Sequence, residues 1–221
     1  MFKRKLWQLG VAGLMCFAPG AFSQVTMTLT SGGPYVLDGV YVGPYTATVD
    51  GVSTQVVCDD YAAETYLDQT WSAKVTPYSQ LGNSSGVGNP IWYSKDGTAG
   101  YDEAAWLVTQ MSNYSDSVDI GEIQFAIWGI FDPQAITDLT AYNSADGSAA
   151  SSWITKASAY SNDNFSNFSV LTPADGPPPQ EFLVAGQVQT PEPTAASVLG
   201  LDLASALGIV FFVWRRRRVR A

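Results

Sequence analysis

Histidine is absent from all 221 residues of this sequence. Its absence excludes Ser-His-Asp and Cys-His catalysis, histidine-ligated zinc, and the side chain that usually carries protons near neutral pH. We therefore predict a protein that is not an enzyme and that holds no metal or other cofactor. Glycoside hydrolysis needs only two carboxyl groups, such as Asp59 or Glu64 with Glu103, but nothing in the sequence fixes their separation.

Cysteine is scarce as well, with only two in the chain, Cys16 and Cys58. Cys16 lies in an N-terminal segment that is interpreted below as a signal peptide, so the mature chain keeps Cys58 alone. A single cysteine cannot form an internal disulfide. Cys58 is therefore a buried small hydrophobe, an intermolecular partner or a reactive group.

Basic residues are rare between positions 24 and 190, where three lysines stand against eighteen aspartates and glutamates. A chain with this charge balance does not bind the phosphate backbone, so we predict no nucleic-acid partner. The segment is long enough for one domain with its own core.

The first 23 residues have the pattern of a secretory signal peptide. Lys3, Arg4 and Lys5 precede an apolar run at 6–17, and the small-residue pattern at 21–23 follows it. We expect the protein to be exported, with a mature ectodomain over 24–185.

The C-terminal tail combines three features in a fixed order: a Pro-Glu-Pro motif within a linker at 186–193, a hydrophobic transmembrane span at 195–214, and a basic end at 215–220. The span is long enough to cross a bilayer, and the arginines keep its end in the cytoplasm. Together the features resemble the PEP-CTERM sorting signal, over a tail at 194–221. The matching motif residues are Pro191, Glu192, Pro193, Arg215, Arg216, Arg217 and Arg218.

The PEP-CTERM resemblance implies a Gram-negative protein that begins as an inner-membrane-tethered precursor. An exosortase-like protease then processes it, and the product reaches the cell surface or extracellular matrix. The same tail occurs on unrelated ectodomains, including ice-binding ones, so it indicates where the protein is sent but not what its activity is. The alternative is a plain single-pass membrane anchor.

The ectodomain pattern predicts an α+β fold with N-terminal antiparallel strands, two or three central helices and C-terminal strands. Asp50-Gly51 between two alternating runs predicts a hairpin in which Val49 pairs with Val52, Tyr45 with Val56 and Gly43 with Cys58. Alternation then places the apolar side chains on one face, with Cys58 inward beside a glycine that leaves room for an approaching group. The members of that face are Val49, Val52, Val56 and Cys58.

Helical spacing of apolar residues predicts a first helix over 102–111 and a second over 119–132. We expect the second helix to begin with Asp119 as its N-cap, followed three residues later by Glu122 in a capping-box arrangement, and to end before Pro133. A weaker third helix is predicted at 149–159. Strands are predicted at 165–171 and 182–188, and the region 77–100 as a long surface excursion.

Gln124 is the one polar side chain within the apolar part of the second helix, and a buried carboxamide needs hydrogen-bond partners. Its surroundings, Ile123-Gln124-Phe125-Ala126-Ile127-Trp128, resemble the glutamine motif of the thioester domains found on bacterial surface adhesins. The resemblance implies an internal thioester between Cys58 and Gln124, which a target nucleophile then opens. Aromatic neighbours that limit access are expected at Trp128, Trp106 and Tyr61.

Two features depart from that family: Val57 and Asp59 flank the cysteine, and the Cys-to-Gln separation is short. If the thioester interpretation holds, the protein is an adhesin whose targets are surface amines or polysaccharide. The alternatives are a buried thiol beside a hydrogen-bonded glutamine and, as a function, a noncatalytic exopolysaccharide or biofilm matrix protein that binds glycans. That alternative is suggested by four aromatic residues in polar surroundings, Trp71, Trp92, Tyr93 and Trp153.

Overall fold

The computed structural model describes residues 24–83, 89–161, 163, 165–186 and 188. The predicted signal peptide, sorting motif, transmembrane span and basic end lie outside these residues. Within them the fold is α+β, as predicted. The strands are β1 Gln24–Ser31, β2 Tyr35–Leu37, β3 Val40–Val42, β4 Tyr45–Val49, β5 Val52–Cys58, β6 Thr70–Pro77, β7 Phe168–Pro173 and β8 Phe182–Ala185. The α-helices are α1 Tyr93–Met111, α2 Ser117–Phe131, α3 Gln134–Tyr142 and α4 Ser144–Ala157.

Six of the strands close into an antiparallel barrel in the order β1-β4-β5-β8-β7-β6, and β2 pairs with β3 in a separate ribbon. The ribbon packs on α2, where Leu37 stands against Gly121. Closure joins β1 to both β4 and β6, and it brings the late strands β7 and β8 between β5 and β6. A barrel leaves none of its six strands as an open edge.

The predicted hairpin is confirmed as β4 and β5, with Val49 opposite Val52 and Tyr45 opposite Val56. Val56 and Cys58 are buried as expected. Val52 is not, because it lies at the hairpin tip beyond the core, where 66% of its surface is exposed.

Helix α2 ends where predicted, with Asp132 as its C-cap before Pro133. Its predicted start was wrong by three residues. Asp116 is the N-cap, and its carboxylate accepts from the backbone N–H groups of Val118 and Asp119. Asp116 has the extended backbone that an N-cap requires, whereas Asp119 already lies in the first helical turn.

The other helices differ more from the sequence-based expectation. Helix α1 begins at Tyr93 rather than at 102. Gly97, whose backbone angles are not helical, separates a short first turn from the longer part of the helix that follows. Helix α3 and strand β6 were not predicted, and the third predicted helix corresponds to α4, which begins five residues earlier at Ser144. Among the described residues, no helix is both long and apolar enough to cross a membrane.

Two apolar clusters form the core. The first fills the barrel and includes Cys58 together with one face of α2, namely Ile120, Phe125 and Trp128. The second lies between the outer surface of the barrel and the helices, and it includes Val57 and Leu183. Helix α2 contributes to both clusters, which explains its almost continuous apolar sequence.

Candidate functional site

Gln124 lies in α2 with its side chain fully buried and both ends of its carboxamide hydrogen-bonded. The backbone N–H of Gly43 donates to Oε1 at 3.1 Å, and Nε2 donates to the carbonyl oxygen of Cys58 at 2.7 Å. An N–H can only donate and a carbonyl can only accept, so these partners fix the orientation of the carboxamide. The polar residue of the apolar helix is thus hydrogen-bonded to the backbone of the cysteine that the sequence singled out.

The carboxamide enters the barrel where the β4–β5 hairpin would otherwise continue. The ladder ends at the pair Tyr45–Val56, and the same register carried two residues further brings Gly43 opposite Cys58. Gln124 bonds one backbone atom of each. A Cβ on Gly43 would stand 2.7 Å from Oε1, so the missing side chain makes room for the helix, as the sequence suggested.

The Cys58 thiol is buried beside this carboxamide. Its S–H donates to the carbonyl oxygen of Asp60 at 3.3 Å, and the Asp60 N–H approaches the sulfur at 3.4 Å. Burial is the main reason that the pKa of the thiol lies well above its ordinary value, and the charge of Asp59 raises it further. The Trp128 indole and the Asp60 N–H lower it in part. The thiol is therefore neutral at neutral pH.

Trp128 follows Gln124 by one helical turn and lies on the same face of α2. Only 4% of its surface is exposed. Its buried Nε1 meets no acceptor with hydrogen-bond geometry among the described residues, yet it lies close enough to the Cys58 sulfur to lower the thiol pKa. One turn of α2 thus places a carboxamide on the Cys58 backbone and an N–H donor near its sulfur.

Tyr61 covers Trp128 from the loop after β5, with ring centroids 5.4 Å apart. Phe125 meets the same indole edge-on at 5.0 Å. The Tyr61 hydroxyl donates to Oδ2 of Asp138 at 2.9 Å, and burial followed by this hydrogen bond raises the pKa of Tyr61 to about 12. Trp128 and Tyr61 therefore pack together next to the Cys58–Gln124 pair, and their role in limiting access to it stays a prediction.

The structure does not place Trp106 at this site, which corrects the third predicted neighbour. Its ring stacks on Tyr160 at 4.5 Å and lies 6.2 Å from Trp153. Trp106 belongs to α1, which packs against α2 and α4 outside the barrel. Cys58 points the other way, into the barrel cluster.

Two aromatic residues of the site were missed at the sequence level. Tyr45 is buried near the thiol, and Phe182 is paired with Cys58 in the β5–β8 ladder, where it meets Tyr45 edge-on at 6.2 Å. Tyr45 could have been found from the hairpin register, because it lies two residues from Gly43. Phe182 could not, because the pairing of β5 with β8 joins distant parts of the chain.

A groove leads from these aromatic rings to the surface. It has a volume of about 670 Å³, and its lining includes Tyr45, Phe182, Trp128 and Tyr61. Apolar side chains with exposed surface line its outer part, namely Val40, Tyr41, Tyr66 and Leu67. The groove gives a ligand a path towards the buried pair without exposing Cys58 or Gln124.

Asp59, which follows Cys58, is buried beside Glu181 and Tyr101. It lies buried on the outer face of the barrel, where its N–H donates to the Glu181 carbonyl oxygen at 3.3 Å. The Glu181 carboxylate accepts from Tyr101, Thr172 and the Ile91 N–H. Burial and then the charge of Glu181 raise the pKa of Asp59 well above its ordinary value. With no exposed surface, Asp59 cannot meet a saccharide in this conformation.

The tryptophans that suggested glycan binding contact other side chains of the protein. Trp71 lies 6.0 Å from the Phe182 ring, and Trp92 stacks on Phe131 at 6.4 Å. Trp153 is largely buried, with Lys156 over its ring. Tyr93 begins α1 and packs beside the second cluster. None of these three indole rings stands free as a sugar platform.

Comparison with known proteins finds no matching family model, no matching curated protein and no matching solved structure. The function is therefore inferred from the chemistry of the chain's own residues. The sorting-motif residues lie outside the described part of the chain.

Proposed function

We propose that this chain is an exported surface or matrix protein whose ectodomain forms an internal thioester between Cys58 and Gln124. It would act as an adhesin that attaches covalently to nucleophiles on a target surface. The observation that carries the proposal is the Gln124 carboxamide, fully buried and hydrogen-bonded to the backbone of the only cysteine of the mature chain. Its export and PEP-CTERM sorting by an exosortase-like protease are supported by the sequence of the two ends.

The bond forms by attack of the Cys58 sulfur on Cδ of Gln124. Negative charge develops on Oε1 in the tetrahedral intermediate, where the Gly43 N–H already donates at 3.1 Å. The thiol proton passes to Nε2, the C–N bond breaks and ammonia leaves. An amide is a poor electrophile, so the reaction depends on holding both groups in one geometry.

The surroundings suit a thioester that must survive until it meets its target. Both side chains are fully buried and neither lines the groove, whereas the Trp128 and Tyr61 rings, which pack on each other and on Phe125, do line it. Such packing excludes water from the electrophilic carbon. The groove still allows a slender nucleophile to approach.

Intact-mass measurement of the exported protein tests this proposal. The thioester lowers the mass by one ammonia molecule, blocks alkylation of Cys58 in denaturant and yields an adduct with methylamine. Cys58→Ala and Gln124→Ala are expected to abolish all three signals. Gln55→Ala, which removes an exposed glutamine from strand β5 of the same hairpin, is expected to leave them unchanged.

An unmodified mass, with Cys58 freely alkylated and no methylamine adduct, would refute the thioester. The protein would then fit the alternative, a noncatalytic matrix protein that binds exopolysaccharide. The exposed rings of Tyr41, Tyr66 and Tyr142 favour that alternative, because aromatic faces are suited to stacking on sugars. Polysaccharide binding that is the same for the wild type and Cys58→Ala would support it.

A further inference from the structure

We propose that Gln180 is a positioning residue for thioester formation, because it holds the carbonyl oxygen to which the Cys58 thiol donates until it reacts. This inference rests on the internal thioester proposed above, and it adds a residue that the sequence alone did not indicate. It is carried by one buried backbone oxygen, that of Asp60, which accepts a hydrogen bond from each of the two side chains.

The turn that follows β5 encloses the Cys58 sulfur with the backbone of a single residue. The S–H donates to the Asp60 carbonyl oxygen at 3.3 Å, and the Asp60 N–H approaches the sulfur at 3.4 Å. The Asp60 carboxylate accepts from the Ala62 N–H at 3.2 Å, which fixes the shape of the turn. Asp60 is buried, so its carbonyl oxygen depends on donors within the protein.

Gln180 supplies the second donor to this oxygen. Its Nε2 lies 2.8 Å from the Asp60 carbonyl oxygen, whereas the Cys58 sulfur lies 3.3 Å from it. A carbonyl oxygen has two lone pairs and accepts both bonds, and the S–H is the weaker donor of the two. Within the described part of the chain, no third donor reaches this oxygen. Gln180 is therefore its main partner.

Formation of the thioester removes one of the two donors. The sulfur bonds to Cδ of Gln124, the thiol proton passes to Nε2 of that side chain, and ammonia leaves. The Asp60 oxygen then keeps the hydrogen bond from Gln180 alone. Without Gln180, the reaction would leave a buried acceptor unpaired, which is costly. Gln180 thus lowers the free energy of the thioester and of the transition state before it, in which the S–H is already leaving its acceptor.

The backbone around Gln180 holds this side chain in place. Its own N–H donates to Oγ1 of Thr65 at 2.8 Å, and the carbonyl oxygen of the next residue, Glu181, accepts from the Asp59 N–H at 3.3 Å. The loop after β5 is therefore joined to the start of β8 on both sides of the Gln180 side chain. Gln180 also lines the groove, so the support of the turn around the sulfur is within reach of a molecule in the groove.

A purely structural link between loop and strand would contain the same hydrogen bonds, so the test needs a measurement that depends on the donor at position 58. Gln180→Met keeps the length of the side chain but removes its N–H donors. It is combined with Cys58→Ala, which leaves no donor at position 58, and separately with Cys58→Ser, whose hydroxyl still donates. Neither background forms the thioester, so thermal unfolding compares the two without a contribution from that bond.

We expect Gln180→Met to lower the Tm by about 2 to 6 °C more in the Cys58→Ala protein than in the Cys58→Ser protein, because only the former leaves the Asp60 oxygen without any donor. If the Cys58→Ala combination does not fold and the Cys58→Ser combination does, this is the extreme form of the same result. Thr65→Val is the matched control, since it removes the other bond of Gln180 to the same loop. Its effect on the Tm should be equal in both backgrounds.

The second measurement follows the reaction itself in protein that keeps Cys58. Gln180→Met should slow the loss of ammonia about tenfold, as measured by the intact mass of the exported protein at successive times. A tenfold change corresponds to about 1.4 kcal/mol in the barrier, which is the size of one hydrogen bond. Thr65→Val should lower the Tm without slowing this step.

Three outcomes would overturn the inference while the wild type still loses ammonia. These are an equal fall in Tm for Gln180→Met in the two backgrounds, loss of ammonia from Gln180→Met at the wild-type rate, and equal slowing by Thr65→Val. If the wild type itself never loses ammonia, the proposed function fails, and the role of Gln180 in that step fails with it. The mass of the wild type therefore distinguishes the two kinds of failure.

Discussion

Gly43→Ala is the most informative single substitution at this site, because it adds one methyl group against the carboxamide and removes no reactive atom. The new Cβ would stand 2.7 Å from Oε1 of Gln124 and 3.3 Å from the Tyr45 ring. Real Cβ atoms essentially never come within 2.7 Å of another atom, so the carboxamide must move. Neither helix α2 nor strand β4 can simply give way, because both are anchored in the core.

The expected cost follows from the hydrogen bond that this movement breaks. Separating Gly43 N–H from Oε1 leaves a buried donor unpaired, which costs about 1 to 3 kcal/mol. For a domain of this size, that corresponds to a fall in Tm of about 2 to 12 °C. The same displacement removes the donor that stabilises charge on Oε1 during thioester formation. We therefore expect a less stable protein that keeps its unmodified mass and a freely alkylated Cys58.

Thermal unfolding and intact mass measure the two effects separately. Gly129→Ala provides the control, since Gly129 also lies on α2 but its Cβ would meet Ile136 of α3 at 2.5 Å instead of the carboxamide. The control is expected to alter stability while still losing ammonia. If Gly43→Ala lost ammonia as completely as the wild type and unfolded at the same temperature, the role assigned to Gly43 would be wrong.

Three further substitutions test the remaining parts of the site. Trp128→Phe keeps an aromatic ring but removes the N–H that lowers the pKa of the Cys58 thiol. Loss of ammonia, followed by mass over time, should therefore be slower, and an unchanged rate would contradict a role for the indole. Gln124→Glu mimics the hydrolysed form of the proposed thioester and places a carboxylate oxygen where Nε2 lay 2.7 Å from the Cys58 carbonyl. We expect the free energy of unfolding, measured with urea, to fall by at least about 1 to 3 kcal/mol at neutral pH. Protonation of the new carboxylate in acid should restore part of that loss. Asp59 ionises near its ordinary pKa of 3.8 only when the chain is unfolded, so above that pH the folded protein retains a proton that the unfolded chain releases. The free energy of unfolding should therefore fall as the pH rises above about 4, by up to about 1.4 kcal/mol per pH unit. Asp59→Asn should remove this contribution, whereas Asp175→Asn, an exposed control, should not; identical pH dependence for Asp59→Asn and wild type would contradict the shared burial of Asp59 and Glu181.

The parts of the fold that local sequence could predict are those fixed by short-range chemistry. Asp50-Gly51 set the hairpin register as far as the pair Tyr45–Val56, two residues short of the predicted pair Gly43–Cys58, and Pro133 set the end of α2. The start of α2 was misplaced because Asp116 and Asp119 are both acceptable caps, and only the extended backbone at Asp116 decides between them.

The parts that could not be predicted depend on contacts between distant residues. Strand β6 pairs with both β1 and β7, and its sequence alone does not show that it closes a barrel. Trp106 was predicted as one of three aromatic neighbours that limit access to the site. Its true position depends on which side of the barrel α1 covers, and that is decided by packing with α2 and α4.

The hydrogen bonds of Gln124 also bear on whether a buried glutamine beside a cysteine is merely structural. A structural glutamine would need two partners, and Gly43 and Cys58 supply both. Yet neither partner requires that the acceptor residue be cysteine, and a buried thiol contributes little that a small apolar side chain would not. What distinguishes this site is the arrangement around the sulfur. The Trp128 N–H lies near it and has no other acceptor with hydrogen-bond geometry among the described residues, and a groove is lined by the rings beside it. A packing role accounts for the carboxamide but leaves the indole and the groove unexplained, whereas the proposed thioester, opened by a nucleophile that arrives through the groove, gives each of them a part in one reaction.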